Sequence, residues 1–191
     1  MSKVVFDISI SLDGFITGPE QATEGPLGRG GERLHEWAFN DERGKELLTE
    51  MLAETGAIVT GRRTYDDSLP YWGADGPSGS VRIPTFVLTH EPPASSPEGG
   101  VYTFVDGTEA AVEQAKAAAG GKLVAIGGGA ESAWQFVTEG LIDEISLHIV
   151  PILLGGGTRL FGELDEPLGL EQIEVGAFDQ VTHVRYRLTD R

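Results

Sequence analysis

The run Leu123-Val124-Ala125-Ile126, followed at once by Gly127, Gly128 and Gly129 and then by helical spacing from Ala130 to Glu139, constrains the fold more than any other feature. A short apolar run bounded by turn residues reads as a strand buried on both faces, and such strands belong to sheets covered by helices. The glycines strip the turn of Cβ atoms, so its backbone can approach a pyrophosphate. The helix that follows adds N-terminal amides and a positive dipole. The turn lacks a G-x-G-x-x-G pattern, because Ser132 stands at the last glycine's position counted from Gly127, and no P-loop lysine follows. Two common nucleotide-binding folds lose support on that ground. On local sequence alone a tight strand-to-helix turn explains the same residues equally well.

A second turn of this kind, Gly61-Arg62-Arg63-Thr64, follows a predicted strand at Ala57 to Thr60 and opens a short helix. Two guanidiniums and a hydroxyl there suit the phosphates of a dinucleotide. A solvated basic pair that tempers the charge of Asp66 and Asp67 is the plainer reading of the same four residues. Two phosphate-type turns at the C-terminal ends of predicted parallel strands favour ligand binding, because open α/β sheets bind at that edge. Thr89 and His90, at the end of a third strand, are candidates for contacts to an adenosine-side phosphate.

Elsewhere the chain alternates periodic segments with short Pro/Gly punctuation. Val4 to Ser11 has the period-2 pattern of a strand, and a long glycine-rich loop from Leu12 to about Asn40 suggests a lid or binding loop. A helix is predicted over Asp41 to Thr55, with Asp41 as N-cap and Gly56 as C′ residue. Pro70 to Gly79 is turn-rich; Pro84 to Thr89 and Val101 to Val105 read as strands; Thr108 caps an alanine-rich helix ending at Gly120. Asp143 to Leu154, a weak strand near Ile173 and Val181 to Leu188 finish the chain. Helices alternating with strands early, and strands alone late, imply one α/β domain over residues 1–191, with a sheet parallel in its middle and an antiparallel hairpin from the C-terminus.

Composition narrows the function. With 191 residues and 40% hydrophobic content the chain can bury one substantial core. A net charge of −16 repels phosphate backbones and anionic headgroups, so neither nucleic acid nor a membrane surface is an expected partner. A small anionic cofactor stays compatible, because salt screens distant charge over about 8–10 Å. No cysteine is present, which removes disulfides and thiolate metal sites and makes a reducing cytoplasm the simplest compartment. No signal-like apolar run follows Lys3, and the apolar stretch at Ile149 to Leu154 is interrupted by Pro151.

Four segments then occur in a telling order: Ser11-Leu12-Asp13-Gly14-Phe15-Ile16-Thr17-Gly18, Gly61-Arg62-Arg63-Thr64-Tyr65, Ile126-Gly127-Gly128-Gly129-Ala130, and Pro151-Ile152-Leu153-Leu154-Gly155-Gly156-Gly157 with Leu160-Phe161. Together they resemble the dihydrofolate-reductase-like superfamily, in the branch related to the C-terminal reductase domain of the bifunctional riboflavin-biosynthesis enzyme. The resemblance spans nearly the whole chain. It implies an α/β fold with a mostly parallel eight-stranded sheet, an antiparallel C-terminal hairpin and helices on both faces. It also implies NADPH as cofactor, a small-molecule substrate, no metal, and a homodimer. By motif, Gly61, Arg62, Arg63 and Thr64 would bind the cofactor's phosphates, Gly127, Gly128, Gly129 and Ala130 its pyrophosphate, and Asp13, Gly14 and Thr17 its nicotinamide side.

The same resemblance places Asp7 and His148 against the substrate pocket, where hydride transfer to C=N or C=O calls for a proton donor with a pKa near neutrality. A solvated Asp7 and a hydrogen-bonded core histidine at 148 are the competing readings. Trp37, Tyr65 and Pro151 are candidates to line the substrate side, with Phe39 and Trp72 nearby, whereas Trp134 is assigned to packing. Folate reductases carry a carboxylate on the first helix; here Lys45 falls near that position, which counts against dihydrofolate as substrate. A riboflavin-pathway pyrimidine bears a ribose phosphate and would want further cations such as Arg29, Arg33 or Arg159. The alternatives are a pterin or carbonyl reductase on the same scaffold, a nucleotide-binding module without catalysis, and a structural subunit that dimerises through Pro151 to Phe161.

Overall fold

The computed structural model describes residues 2–40 and 42–189. Its eight strands, β1 (Val4–Ser11), β2 (Thr55–Gly61), β3 (Thr85–Leu88), β4 (Tyr102–Val105), β5 (Leu123–Ile126), β6 (Glu144–Val150), β7 (Leu170–Phe178) and β8 (Val181–Leu188), form a sheet in the order β4-β3-β2-β5-β1-β6-β8-β7. By contact density the chain divides into two compact units, one of residues up to Phe6 with Met51–Ile142, the other of Asp7–Glu50 with the residues from Asp143 on.

In the first unit the strands β2 (Thr55–Gly61), β3 (Thr85–Leu88), β4 (Tyr102–Val105) and β5 (Leu123–Ile126) run parallel, and Val4–Phe6 of β1 (Val4–Ser11) pairs in parallel with β5. Parallel neighbours need crossovers. The helices α4 (Arg62–Trp72) and α5 (Thr108–Ala118) lie between these strands in the chain, and α6 (Ala130–Thr138) follows β5. Apolar residues fill the core on both strand faces: Val4, Phe6, Val59, Val87, Val124, Ile126 and Phe136 are all essentially inaccessible. The α4 helix is longer than the short one anticipated, and it continues through Pro70, so the turn-rich stretch begins only at Gly73.

Two predicted helix ends are corrected. Gly56 is not a C′ residue: it sits in β2 at a register shift between Thr55 and Ala57, where a Cβ would lie 2.3 Å from the Ala119 carbonyl oxygen. Its role is close packing against the end of α5. Gly107, rather than Thr108, is the N-cap of α5, and the Thr108 hydroxyl instead hydrogen-bonds the Glu139 carboxylate beyond α6.

The second unit is built on the antiparallel ladders of β6 (Glu144–Val150), β8 (Val181–Leu188) and β7 (Leu170–Phe178). The β6–β8 register sets His148 directly opposite His183. The weak strand anticipated near Ile173 is a nine-residue edge strand, hard to read because a bulge between Gln172 and Glu174 breaks its alternation and most of it is exposed. The predicted loop from Leu12 to Asn40 contains two single-turn helices, α1 (Gln21–Glu24) and α2 (Glu36–Phe39), and a 3₁₀ turn at Gly31–Leu34. Helix α3 (Glu42–Glu54) follows; Asp41, its anticipated cap, lies outside the described residues. Gly44 in α3 lets the helix touch the chain before it, since a Cβ there would lie 1.7 Å from the Trp37 carbonyl oxygen. No described helix is long and apolar enough to cross a membrane.

Candidate active site

In the first unit β2 and β5 are hydrogen-bonded neighbours running the same way, so the turns that follow them leave the sheet at one edge. The backbone N–H of Gly129 donates to Thr64 Oγ1 at 2.9 Å, which joins the two turns directly. Neither α4 nor α6 has a side-chain cap at its N-terminus: the N-caps are Gly61 and Gly129. Their first-turn N–H groups have no intrahelical acceptor and are available to an anion.

Room for that anion depends on missing Cβ atoms. A Cβ on Gly128, whose φ is +110°, would come within 2.8 Å of both Thr60 Oγ1 and Thr64 Oγ1, and one on Gly61 within 2.6 Å of Ser132 Oγ. Thr60 Oγ1 is buried and has no hydrogen-bond partner among the described residues. An orphaned hydroxyl beside a Cβ-free turn and two uncapped helix ends fits the diphosphate of a dinucleotide.

The arginines contribute less than their sequence position suggests. Arg62 Nε donates to both oxygens of Asp66 at 2.9 Å, and its Nη1 donates to the Glu91 carbonyl, so this guanidinium braces α4 against the turn after β3. Arg63, with 79% of its side chain exposed, lies 3.7 Å from Asp67. Exposed pairs of this kind hold weakly, so Arg63 can turn to a phosphate at little cost, whereas Arg62 would have to leave three contacts. Thr89 and His90 are likewise occupied: Thr89 Oγ1 donates to the Glu91 carbonyl at 2.9 Å, and His90 Nδ1 sits 2.6 Å from Asp106.

The second unit brings Asp7 and His148 together. His148 Nε2 lies 3.2 Å from each Asp7 oxygen, with the histidine side chain 4% and the aspartate 27% exposed. His148 Nδ1 meets Nδ1 of His183, and the Trp37 ring packs 4.8 Å from both imidazoles while its Nε1 donates to Ser9 Oγ at 3.0 Å. Burial raises the Asp7 pKa, but attraction to His148, hydrogen bonds from His148 and Ser146, and the charge of Arg185 together outweigh it and leave the carboxyl below its usual value of 3.8. Asp7 is thus an ionised acceptor at neutral pH, so within the expected Asp7–His148 pair the carboxyl is not the member that gives a proton. Burial first, and then repulsion from His148, push His183 down to about 4 against attraction from Asp7, and the same two causes lower His35.

A family model described as the RibD C-terminal domain matches residues 2–184. The chain belongs to the RibD C-terminal domain family. It is 26% identical to the Bacillus subtilis protein YwjB, over 96% of this chain and 97% of that one. Among solved structures, a putative riboflavin biosynthesis protein from Shewanella sp. PV-4 is 31% identical with a TM-score of 0.71 and full coverage of both chains. Dihydrofolate reductase from Enterococcus faecalis, solved with NADP(H), shares the fold at 19% identity and a TM-score of 0.61, over 98% of this chain and 97% of that one.

Within this member of the family, other anticipated residues take different places. The Asp13 carboxylate accepts hydrogen bonds from Ser11 Oγ at 2.6 Å, Gly155 N at 2.8 Å and Leu154 N at 3.1 Å, and these, led by Ser11, lower its pKa to about 2 against partial burial. Thr17 Oγ1 accepts from Thr158 N at 3.0 Å, and Gly14 has φ +89°. Asp13 therefore anchors the start of the glycine loop at 155–157, Thr17 holds the residue that follows it, and the Gly14 carbonyl accepts from Leu160 N at 3.1 Å. Tyr65 is corrected as a substrate-side residue: it is fully buried, edge-on to Tyr102 and Phe104 at 4.9 and 5.3 Å, and has no surface for a ligand. Trp37 is 4% exposed and supports the imidazoles, while Pro151 is exposed where β6 ends. Sequence reasoning missed His183, Ser146 and the Arg185–Glu144 pair at 2.7 Å. The register of β6 on β8 would have found His183.

Proposed function

We propose that this chain is an NADPH-dependent oxidoreductase that reduces a flat nitrogen heterocycle, of the kind represented by the ribosylamino-uracil of riboflavin synthesis. The reading rests on one observation above the rest, the hydrogen bond from Gly129 N to Thr64 Oγ1 that draws two uncapped helix N-termini together. Gly61, Thr64, Gly127, Gly128, Gly129 and Ala130 hold the cofactor's diphosphate, and Arg63 is the cation that reaches it. The bound cofactor supplies hydride. Asp7, ionised and partly open, accepts a hydrogen bond from a ring N–H or amino group of the substrate, and His148 holds that carboxylate in place. Membership in the RibD C-terminal domain family supports the reaction class. So does a Thermotoga maritima structure named as a deaminase and 5-amino-6-(5-phosphoribosylamino)uracil reductase, whose fold this chain shares at 13% identity while spanning 57% of its length.

Arg159 favours a phosphorylated substrate over a plain pterin. Its guanidinium lies 4.6 Å over the Phe15 ring, donates to the Asp13 carbonyl at 3.4 Å and pairs with no carboxylate among the described residues, whereas Arg29 is paired with Glu20 at 3.1 Å. Lys45 argues against dihydrofolate, since it is exposed on α3 and paired with Glu42 at 2.9 Å. The reading includes a single-domain homodimer acting in the cytoplasm. Purified protein is to be screened for NADPH oxidation against ribosylamino-pyrimidines, pteridines and quinones. Turnover confined to pyrimidines supports the reading, and turnover of quinones alone contradicts it.

A further inference from the structure

The chain has four histidines, and three of them, His35, His148 and His183, interact around one carboxylate. The contacts fix where the protons lie. A carboxylate flanked by Arg185 and hydrogen-bonded by Ser146 can only accept, so the His148 nitrogen facing Asp7, Nε2, carries a hydrogen. If His148 holds that proton alone, its Nδ1 is a lone pair, and the contact with His183 Nδ1 requires His183 to donate. His183 Nε2 is then a bare lone pair, in agreement with its being buried without a partner among the described residues. A doubly protonated His148 would turn His183 round and leave a buried N–H with no acceptor, the costlier arrangement.

We propose that His183 is a positioning residue: the N–H it donates from Nδ1 to His148 Nδ1 locks the His148 ring in the Nε2–H tautomer, and that ring in turn keeps Asp7 an acceptor on its open side. The surroundings hold the lock rigid. Trp37 and Phe178 pack on the His183 ring at 4.8 and 5.1 Å, and the Arg43 guanidinium lies 5.5 Å over Phe178. Asp7 then selects substrates that present a hydrogen-bond donor, and the proton that follows hydride transfer comes from solvent rather than from Asp7. That consequence rests on Asp7 facing the substrate; the proton inventory does not.

Imidazole nitrogen NMR of the full isotope-labelled chain, without cofactor at mildly alkaline pH, tests the lock. Four rings are assigned by His35→Gln, His90→Gln and His148→Phe, and His183 by elimination. His148 is expected with its hydrogen on Nε2 and His183 with its hydrogen on Nδ1, the tautomer less favoured in free imidazole. His148→Phe removes the acceptor, and the Nδ1–H to Nε2–H ratio of His183 falls by about tenfold, the worth of one hydrogen bond. Asp7→Asn, nearly isosteric and so a second route if the first variant fails to fold, mixes the tautomers of both rings, including the one Asp7 does not touch. A wild-type His183 carrying Nε2–H, or a His183 signal indifferent to both changes, overturns the proposal. The readout needs no NADPH, so it stands or falls separately from the reductase reading.

Discussion

At the scale of single residues, Asp7 stays charged despite its burial, because His148, Ser146 and Arg185 all favour the charged form. Asp7→Asn and His148→Ala are each expected to lower kcat roughly 100-fold through the lost electrostatic hold on the substrate, with NADPH affinity unchanged, as stopped-flow hydride transfer and a binding titration would establish. Arg159→Ala should raise KM about tenfold for a phosphorylated pyrimidine and leave a dephosphorylated one unaffected. The pH dependence of stability follows from His183 and Asp13. His183 has a native pKa of about 4 against an ordinary 6.5, so the unfolded chain binds its proton first and stability is lost as pH falls through that interval. The loss is on the order of 2–3 kcal/mol, and urea denaturation at several pH values measures it. His183→Asn should flatten that window. Asp13, at about 2 against 3.8, is also a depressed acid, and its contribution disappears only at more acidic pH.

At the scale of elements, strand–turn–helix signals were the most readable part of the chain. Leu123–Ile126, the triple glycine and α6 lie where periodicity put them, because an apolar run and a Cβ-free turn have few other uses. The failures have local causes. Thr108 looks like a cap, yet Glu139, 31 residues away, takes its hydroxyl. Gly56 looks like a helix stop, yet the Ala119 carbonyl needs its missing side chain. Adjacent arginines look like a phosphate clamp, yet Asp66, one turn along α4, holds Arg62, and only Arg63, loosely paired with Asp67, is easily released. In each case a partner distant in sequence, or one brought alongside by a turn of helix, outcompeted the local signal. The turns themselves yield a prediction. Thr64→Val removes the hydroxyl that accepts from Gly129 N and should weaken NADPH binding about tenfold, with the far-ultraviolet dichroism unchanged.

At the scale of the whole molecule, the division of the sheet into a parallel middle and an antiparallel C-terminal hairpin was inferable from the change between alternating and strand-only sequence, and the ladders agree with it. The extent of β7 was not, since an exposed edge strand lacks the one-sided burial that makes a strand readable. That edge bears Leu170, Ile173 and Val175 at 48, 36 and 61% exposure, an apolar surface that a second chain would cover. Sedimentation equilibrium is expected to return twice the 20.4 kDa chain mass, and Val175→Lys to shift it toward the monomer.

The central claim is that the Cβ-free turn at Gly128 receives the phosphates of NADPH. Titrating wild-type protein and Gly128→Ala with NADPH, followed by quenching of tryptophan fluorescence, addresses it directly. The added methyl would lie 2.8 Å from two threonine hydroxyls at a φ of +110°, so saturable quenching should occur in the wild type and be lost in the variant while the thermal unfolding transition survives. Equal binding by both proteins, or none by the wild type, would contradict the account.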